Sequence, residues 1–215
     1  NLILGDEINR TPPKTQAALL QAMEEKQISV GGVTYNLPDP FFVFATQNPI
    51  EQEGTYPLPE AELDRFLFNI EISYPKEETE YGITERYPDI ESEKLEPIIN
   101  GKKLNKHIDF VKNIEISEKL VQRIVKIVKS TRPGFSDFDF IKKWVEWGAG
   151  PRASQYLMHA SKANALINGH SVVSDSDVDE LLIPVLKHRI ILNFSAQAEG
   201  ITKDEIIERL KEDSK

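Results

Sequence analysis

Apolar and polar positions follow two different rhythms along the chain. Over the first 75 residues, short apolar runs of strand length alternate with amphipathic stretches. "LILG" at residues 2–5 predicts a buried strand that ends on Asp6 and Glu7. Thr11 followed by Pro12 marks a helix start, an oxygen-bearing cap before a proline of the first turn. The helix runs through "KTQAALLQAMEEKQ", with Ala17, Leu20 and Met23 on one face and Leu19 beside them. Two β-type runs around Gly31-Gly32 predict a hairpin. "FFVFAT" predicts a second buried strand, ending in the polar "QNP". After a loop rich in Gly, Pro and Glu, "PEAELDRF" predicts a short helix, and "LFNIEIS" a third strand with partial alternation.

From Pro75 onward the period becomes helical. Residues 76–107 are highly charged and broken, which predicts a helix followed by a long loop. "SEKLVQRIVKIVKSTR" places Leu120, Ile124, Ile127 and Val128 on one face, with Ser117 as cap. "PRASQYLMHASKANALINGH" is a second amphipathic helix, closed by Asn168-Gly169. "SDSDVDELLIPVLKHRI" opens with a capped acidic turn and continues as helix through or up to Pro184. "TKDEIIERLKEDS" predicts a terminal helix. The expected fold class is therefore α/β followed by all-α. One unit spans 1–75 and a helical one spans 76–215, the latter led by a charged, loop-rich segment over 76–116. Neither an internal repeat nor a low-complexity segment interrupts this plan.

Charge narrows the function classes. The chain carries 26 Lys and Arg against 35 Asp and Glu, net −9. Residues 1–75 hold 4 basic against 11 acidic residues, a local balance of −7. A general binder of nucleic-acid backbones gains affinity from clustered basic side chains, so nucleic acid is not the expected partner. With no cysteine, disulfides, zinc–thiolate sites and thiol nucleophiles are excluded. The four histidines (107, 159, 170 and 188) show no metal-ligand spacing. No run approaches the ~18 apolar residues of a membrane span, and no signal-peptide pattern opens the chain, so a cytoplasmic protein without a transmembrane segment is the expectation.

The chemistry-bearing positions are few. An apolar strand ending in Asp6-Glu7 is what a nucleotide-hydrolysing site needs at the carboxyl edge of its sheet. There Asp6 can hold Mg²⁺ through water, and Glu7 can orient or polarise the attacking water. If the second strand lies parallel beside the first, Asn48 reaches the same edge, where its amide can bond a γ-phosphate or its water. Each signal alone is also compatible with a plain structural role: a strand end, or a turn residue before Pro49. Arg65 closes the short helix of "LPEAELDRF" and is either a solvated arginine beside Glu62 and Asp64 or one suited to a neighbouring subunit's phosphate. Arg152, in "GAGPRA", occupies a first helical turn where cations are disfavoured, which points to something anionic opposite. "FSDFDFIKKWVEW" concentrates aromatics just before it and is read as core of the helical part.

In that order, "LILGDEINRTPPKTQAALLQAMEE", the hairpin, "FFVFATQNPIEQEGTYPLPEAELDRF" and "GAGPRA" resemble the MoxR family of AAA+ ATPases. The likeness is nearly continuous over 1–75 and sparser, but in order, to about residue 200. The resemblance implies the C-terminal half of an AAA+ P-loop nucleotide-binding core followed by a helical lid. Asp6 and Glu7 would be the Walker B pair, with Asp6 on the magnesium through water. Asn48 would be sensor 1, Arg65 an arginine finger acting in trans, and Arg152 the sensor 2 arginine of the lid. "ISVGGVTYNL" would be the pre-sensor-1 hairpin. The family more often has Ser where this chain has Gly150.

The cofactors implied are ATP and Mg²⁺. The partners implied are a homo-oligomeric, hexameric ring and client proteins, some with a von Willebrand factor A domain. The role implied is a chaperone-like motor that assists maturation of, or cofactor insertion into, partner complexes. No G-x-x-x-x-G-K-[ST] loop occurs in the chain, and "GGVTYN" and "NGKKLN" lack its spacing. The expectation is a fragment beginning midway through the core and inactive alone. A non-enzymatic interaction module, or a relative of magnesium-chelatase ATPase subunits, is the alternative. In the family's strand order the phosphate-loop strand separates the third strand from the other two. Exposed apolar sheet edges, with self-association or rearrangement of the first 75 residues, are therefore expected.

Overall fold

The structure is a computed structural model that describes residues 1–48, 54–86 and 96–214. The loop part at 49–53 and most of the expected long loop, 87–95, lie outside the described residues.

The strand β1 (Leu2–Gly5) pairs in parallel with β4 (Phe42–Ala45), with Leu2 opposite Phe42 and Gly5 opposite Ala45. A parallel pair needs a crossover, and α1 (Pro13–Glu25) provides it. The expected cap Thr11 is displaced by one step. Thr11 instead closes a 3₁₀ turn over Ile8–Arg10 by donating its N–H to the Ile8 carbonyl. Pro12 occupies the cap position and Pro13 the first helical one, where a missing N–H costs nothing. The hairpin of β2 (Gln27–Val30) and β3 (Val33–Asn36) follows as expected. Gly31 and Gly32 sit at φ 59° and 81°, which glycine adopts without a Cβ clash. A small core of Ile8, Leu20 and Leu58, flanked by Leu19, Met23, Leu63 and Phe66, joins α1 to the short helix α2 (Glu60–Leu63).

The third expected strand does not form. Residues 67–73 form no strand, and no strand among the described residues pairs with them. The segment is instead held against the helical part: Asn69 N–H donates to the Pro184 carbonyl at 2.8 Å, and Glu71 pairs with Lys187 at 2.8 Å. Ile70, Ile72 and Tyr74 are left largely exposed, Ile72 at 93%.

After α3 (Glu77–Glu85), a second difference appears. The expected loop gives way to α4 (Gly101–Lys112), capped by the Asn100 side chain. The larger core is built by α5 (Glu118–Ser130), α7 (Pro151–Ile167) and the helices after it. Ser117 caps α5 as expected, and Leu120, Ile124, Ile127 and Val128 are buried. The expected long helix after Ser174 is split into α8 (Asp175–Asp179) and α9 (Leu182–Leu186). Pro184 then falls in a first turn, where its absent N–H has no helical partner to lose. α6 (Asp139–Trp144) leads into β5 (Val145–Trp147), which pairs antiparallel with β6 (Ile191–Leu192), a small sheet the helical period did not announce. α10 (Phe194–Ala198) and α11 (Lys203–Asp213) complete the chain, α11 with a Thr202–Glu205 capping box. No helix among the described residues is long and apolar enough to cross a membrane.

Candidate functional site

Parallel pairing of β1 and β4 brings the acid pair and the polar end of β4 to one edge. The clamp between them is Thr46, which the sequence reading did not single out. Its hydroxyl donates to Asp6 Oδ1 at 2.6 Å and accepts the Glu7 N–H at 2.8 Å. Its backbone continues the ladder: Thr46 N–H donates to Gly5, and its carbonyl accepts from Ile8. A hydroxyl directly after the second apolar run was the available signal. Glu7 turns out of the strand in a left-handed conformation, φ 47° and ψ 52°, which costs a non-glycine residue about 1 kcal/mol. Its carboxylate lies 3.2 Å from Arg10, and it is half-buried where Asp6 is exposed.

Asn48 stands beside this edge. Its carbonyl accepts from Asn9 Nδ2 at 3.5 Å. Asn9 is buried, and its Oδ1 has no hydrogen-bond partner among the described residues. Gln16, 2% exposed, donates to the carbonyls of Ile8 and Tyr56. Tyr56 in turn donates its N–H to Asn9 at 2.6 Å. These bonds staple the chain after β4 to the 3₁₀ turn that follows the acids.

The two arginines meet elsewhere, at the end of α1. Arg65 Nη1 lies 2.6 Å from Glu24 Oε2, and Arg152 Nη2 lies 2.7 Å from Glu24 Oε1. Arg152 also reaches Asp64 Oδ2 at 3.3 Å. The anion opposite the α7 N-terminus is thus a pair of protein carboxylates. Asp64 Oδ1 accepts in addition from Arg189 Nε at 2.7 Å. Arg189 is the buried anchor of the group, donating to the carbonyls of Asp64, Phe66, Leu67 and Val185. Burial pushes its guanidinium pKa down, against the pull of Asp64. Tyr156 donates its hydroxyl to the Arg65 carbonyl at 2.9 Å, and burial pushes that phenol up. His188 bonds the Phe66 carbonyl at 3.1 Å; burial, with Arg189 beside it, holds the imidazole down at about 4. Glu24, Asp64 as a ligand to Arg152, and Arg189 carried no local sequence signal for this role.

The structure therefore brings Asp6, Glu7 and Asn48 to one edge, and Arg65 and Arg152 to one carboxylate. Among the described residues one cavity of about 410 Å³ lies within the helical part, and another of about 410 Å³ opens between α2 and the helical part. The latter opens beside Asp64, Trp147, Gly148, His188 and Arg189; neither is lined by the acid pair. Among the described residues no group of three or more His, Cys, Asp or Glu could hold a metal. A single exposed carboxylate such as Asp6 suits Mg²⁺, which keeps most of its waters and binds through one or two carboxylates plus phosphates. The sequence carries no G-x-x-x-x-G-K-[ST] loop to cradle such phosphates.

Residues 1–68 match a family model for ATPases associated with various cellular activities, and residues 141–210 match an AAA lid domain. Chaperone MoxR1 of Mycobacterium tuberculosis is 41% identical over 98% of this chain and 56% of its own length. The uncharacterized protein YeaC of Bacillus subtilis is 43% identical over 98% of this chain and 63% of its own length. Protein MoxR of Paracoccus denitrificans is 30% identical over 87% of this chain and 59% of its own length. A crystal structure of a Cytophaga hutchinsonii protein, provisionally named an ATPase, superposes with a TM-score of 0.90 at 40% identity, over 98% of this chain and 64% of that one. The chain thus spans between half and two thirds of these relatives.

Proposed function

We propose, from the premise that this chain belongs to the MoxR family of AAA+ ATPases, that it carries one half of an ATP-hydrolysing site in an oligomeric, chaperone-like motor. The observation that supports this reading is the parallel β1–β4 pair, with the Thr46 hydroxyl bonded to Asp6 and to the Glu7 N–H at the end of the strands. Asp6, oriented by the Thr46 hydroxyl, would hold magnesium. The metal would supply charge neutralisation for the phosphoryl group. Glu7 swings from Arg10 to orient the attacking water, and Asn48 bonds the γ-phosphate or that water. Arg65 serves the transition state in a neighbouring subunit, and Arg152 couples phosphate state to the position of the helical part, which acts as a lid over residues 76–215.

The assembly is a homo-oligomeric ring, a hexamer, in the cytoplasm. It works on protein partners, including ones with a von Willebrand factor A domain, in maturation or cofactor insertion. Without a G-x-x-x-x-G-K-[ST] loop in residues 1–215, this stretch expressed alone acts as a non-hydrolysing module. A paired assay tests both statements. The whole polypeptide containing this sequence should hydrolyse ATP, lose turnover on Glu7→Gln, and keep nucleotide binding. The 215-residue chain should show none. Turnover by the short chain that Glu7→Gln abolishes would overturn the half-site reading.

A further inference from the structure

Two charges in this fold stand at the wrong ends of their helices. Glu24 lies in the last turn of α1, at the negative end of its macrodipole, and Arg152 in the first turn of α7, at the positive end. Each is unfavourable by itself, and the fold resolves both by setting them 2.7 Å apart. The second oxygen of the same carboxylate takes Arg65 at 2.6 Å. Behind them, Asp64 bridges Arg152 to Arg189, whose side chain is 1% exposed. The result is one line of alternating charge, Arg65–Glu24–Arg152–Asp64–Arg189, running from a half-exposed arginine to a buried one.

We infer that Glu24 is a positioning residue, one carboxylate that sets the pose of both Arg65 and Arg152; this rests on the motor reading above, which assigns these arginines to phosphate. A guanidinium held by one face of a carboxylate keeps its remaining N–H groups aimed outward, so the side chain need not be ordered when an anion arrives. Asp64 and Arg189 fix the inner end of the line. The Tyr156 hydroxyl on the Arg65 carbonyl fixes its backbone from the same helix that carries Arg152. Because one carboxylate holds both, a change in the pose of either arginine alters what holds the other. A static surface ion pair predicts none of this.

The test is Glu24→Gln in the whole, assembled protein. Glutamine keeps the length but faces one of the two guanidinium groups with an NH₂ donor. Turnover at saturating ATP should fall about 100-fold, the effect of a misplacement of order 1 Å in a catalytic group. Binding of a non-hydrolysable ATP analogue, ring assembly and melting temperature should stay at wild-type values. Glu24→Asp, which keeps the charge, should recover part of the loss and guards against a Gln variant that fails to fold. Wild-type turnover in both variants, or parallel loss of ATP affinity and melting temperature, would overturn the inference. A wild-type protein that hydrolyses no ATP would instead overturn the motor reading beneath it.

Discussion

Arg189 and His188 are neighbours in sequence and share one carbonyl, that of Phe66, yet burial acts on them in different ways. Arg189 stays charged because Asp64 and four carbonyls take up its donors. Removing it leaves those acceptors short and Asp64 without its nearest cation. Arg189→Met should therefore lower the unfolding free energy by about 3 kcal/mol in a urea titration. His188 stays neutral instead. Its Nδ1 is buried without a partner among the described residues, so protonation would bury an unmet N–H beside Arg189. Its pKa is about 4 in the fold and ~6.5 in an unfolded chain. The unfolded chain thus binds the proton first, and stability falls as pH drops from 6.5 toward 4.

Asp177 works in a lower window. Burial would push it up, but hydrogen bonds from Ser174, His170 and Asn168 outweigh that and hold it at about 2. Its contribution is lost only as pH falls from its ordinary range through 2. A His188→Gln variant should flatten the loss between pH 6.5 and 4 in chemical-denaturation curves and leave the steeper fall below pH 4 in place. None of the partners of Arg189 or Glu24 was legible in the sequence. The acids at Asp6-Glu7 announce themselves by following an apolar run, whereas Arg152 finds Glu24 across 128 residues and Arg189 finds Asp64 across 125.

At the scale of elements, the difference between what could and could not be read is a difference between local and shared structure. A helix carries its own hydrogen bonds, so Ser117 and the capped acidic turn at Ser174 mark real starts from sequence alone. A strand exists only with a partner. Residues 67–73 have the composition of one and stay unpaired, while "VEW" becomes β5 because β6 happens to reach it. The turn between β5 and α7 shows what local chemistry decides there. A Cβ on Gly148 would lie 2.3 Å from the Thr131 carbonyl oxygen, and Ala149 N–H is tied to the Thr131 hydroxyl, so neither side can yield. Gly148→Ala should cost at least about 2 kcal/mol, read as a lowered melting temperature. Gly150, two residues on, is the opposite case. It caps α7 without a side-chain bond, at φ −77°, and a Cβ there meets nothing within 4 Å. Gly150→Ser should stabilise α7 by about 0.5–1 kcal/mol through a cap bond and a stiffer unfolded chain, raising the melting temperature.

For the whole molecule, the distribution of apolar surface matters more than its amount. The helical part encloses a continuous core from Ile114 to Leu210. Among the described residues of the first 75, Ile8, Leu20 and Leu58 form the buried cluster, while Leu2, Leu4, Phe44, Ile70 and Ile72 are largely exposed. Leu2, Leu4 and Phe44 belong to a two-stranded sheet, and a sheet edge with apolar neighbours is a template for further pairing. The 215-residue chain by itself should therefore self-associate, with a sedimentation coefficient that rises with protein concentration. Its net charge of −9 opposes that association through like-charge repulsion, which salt screens over a Debye length of about 10 Å at 0.1 M. Raising ionic strength should then strengthen association, whereas contacts made by surface ion pairs would weaken. A Leu4→Lys, Phe44→Lys double variant places two like charges on that sheet and should shift the population to monomer without lowering the melting temperature of the helical part. A chain that sediments as a single monomer at all concentrations and salts would show that the exposed sheet is masked by a rearrangement of its own residues.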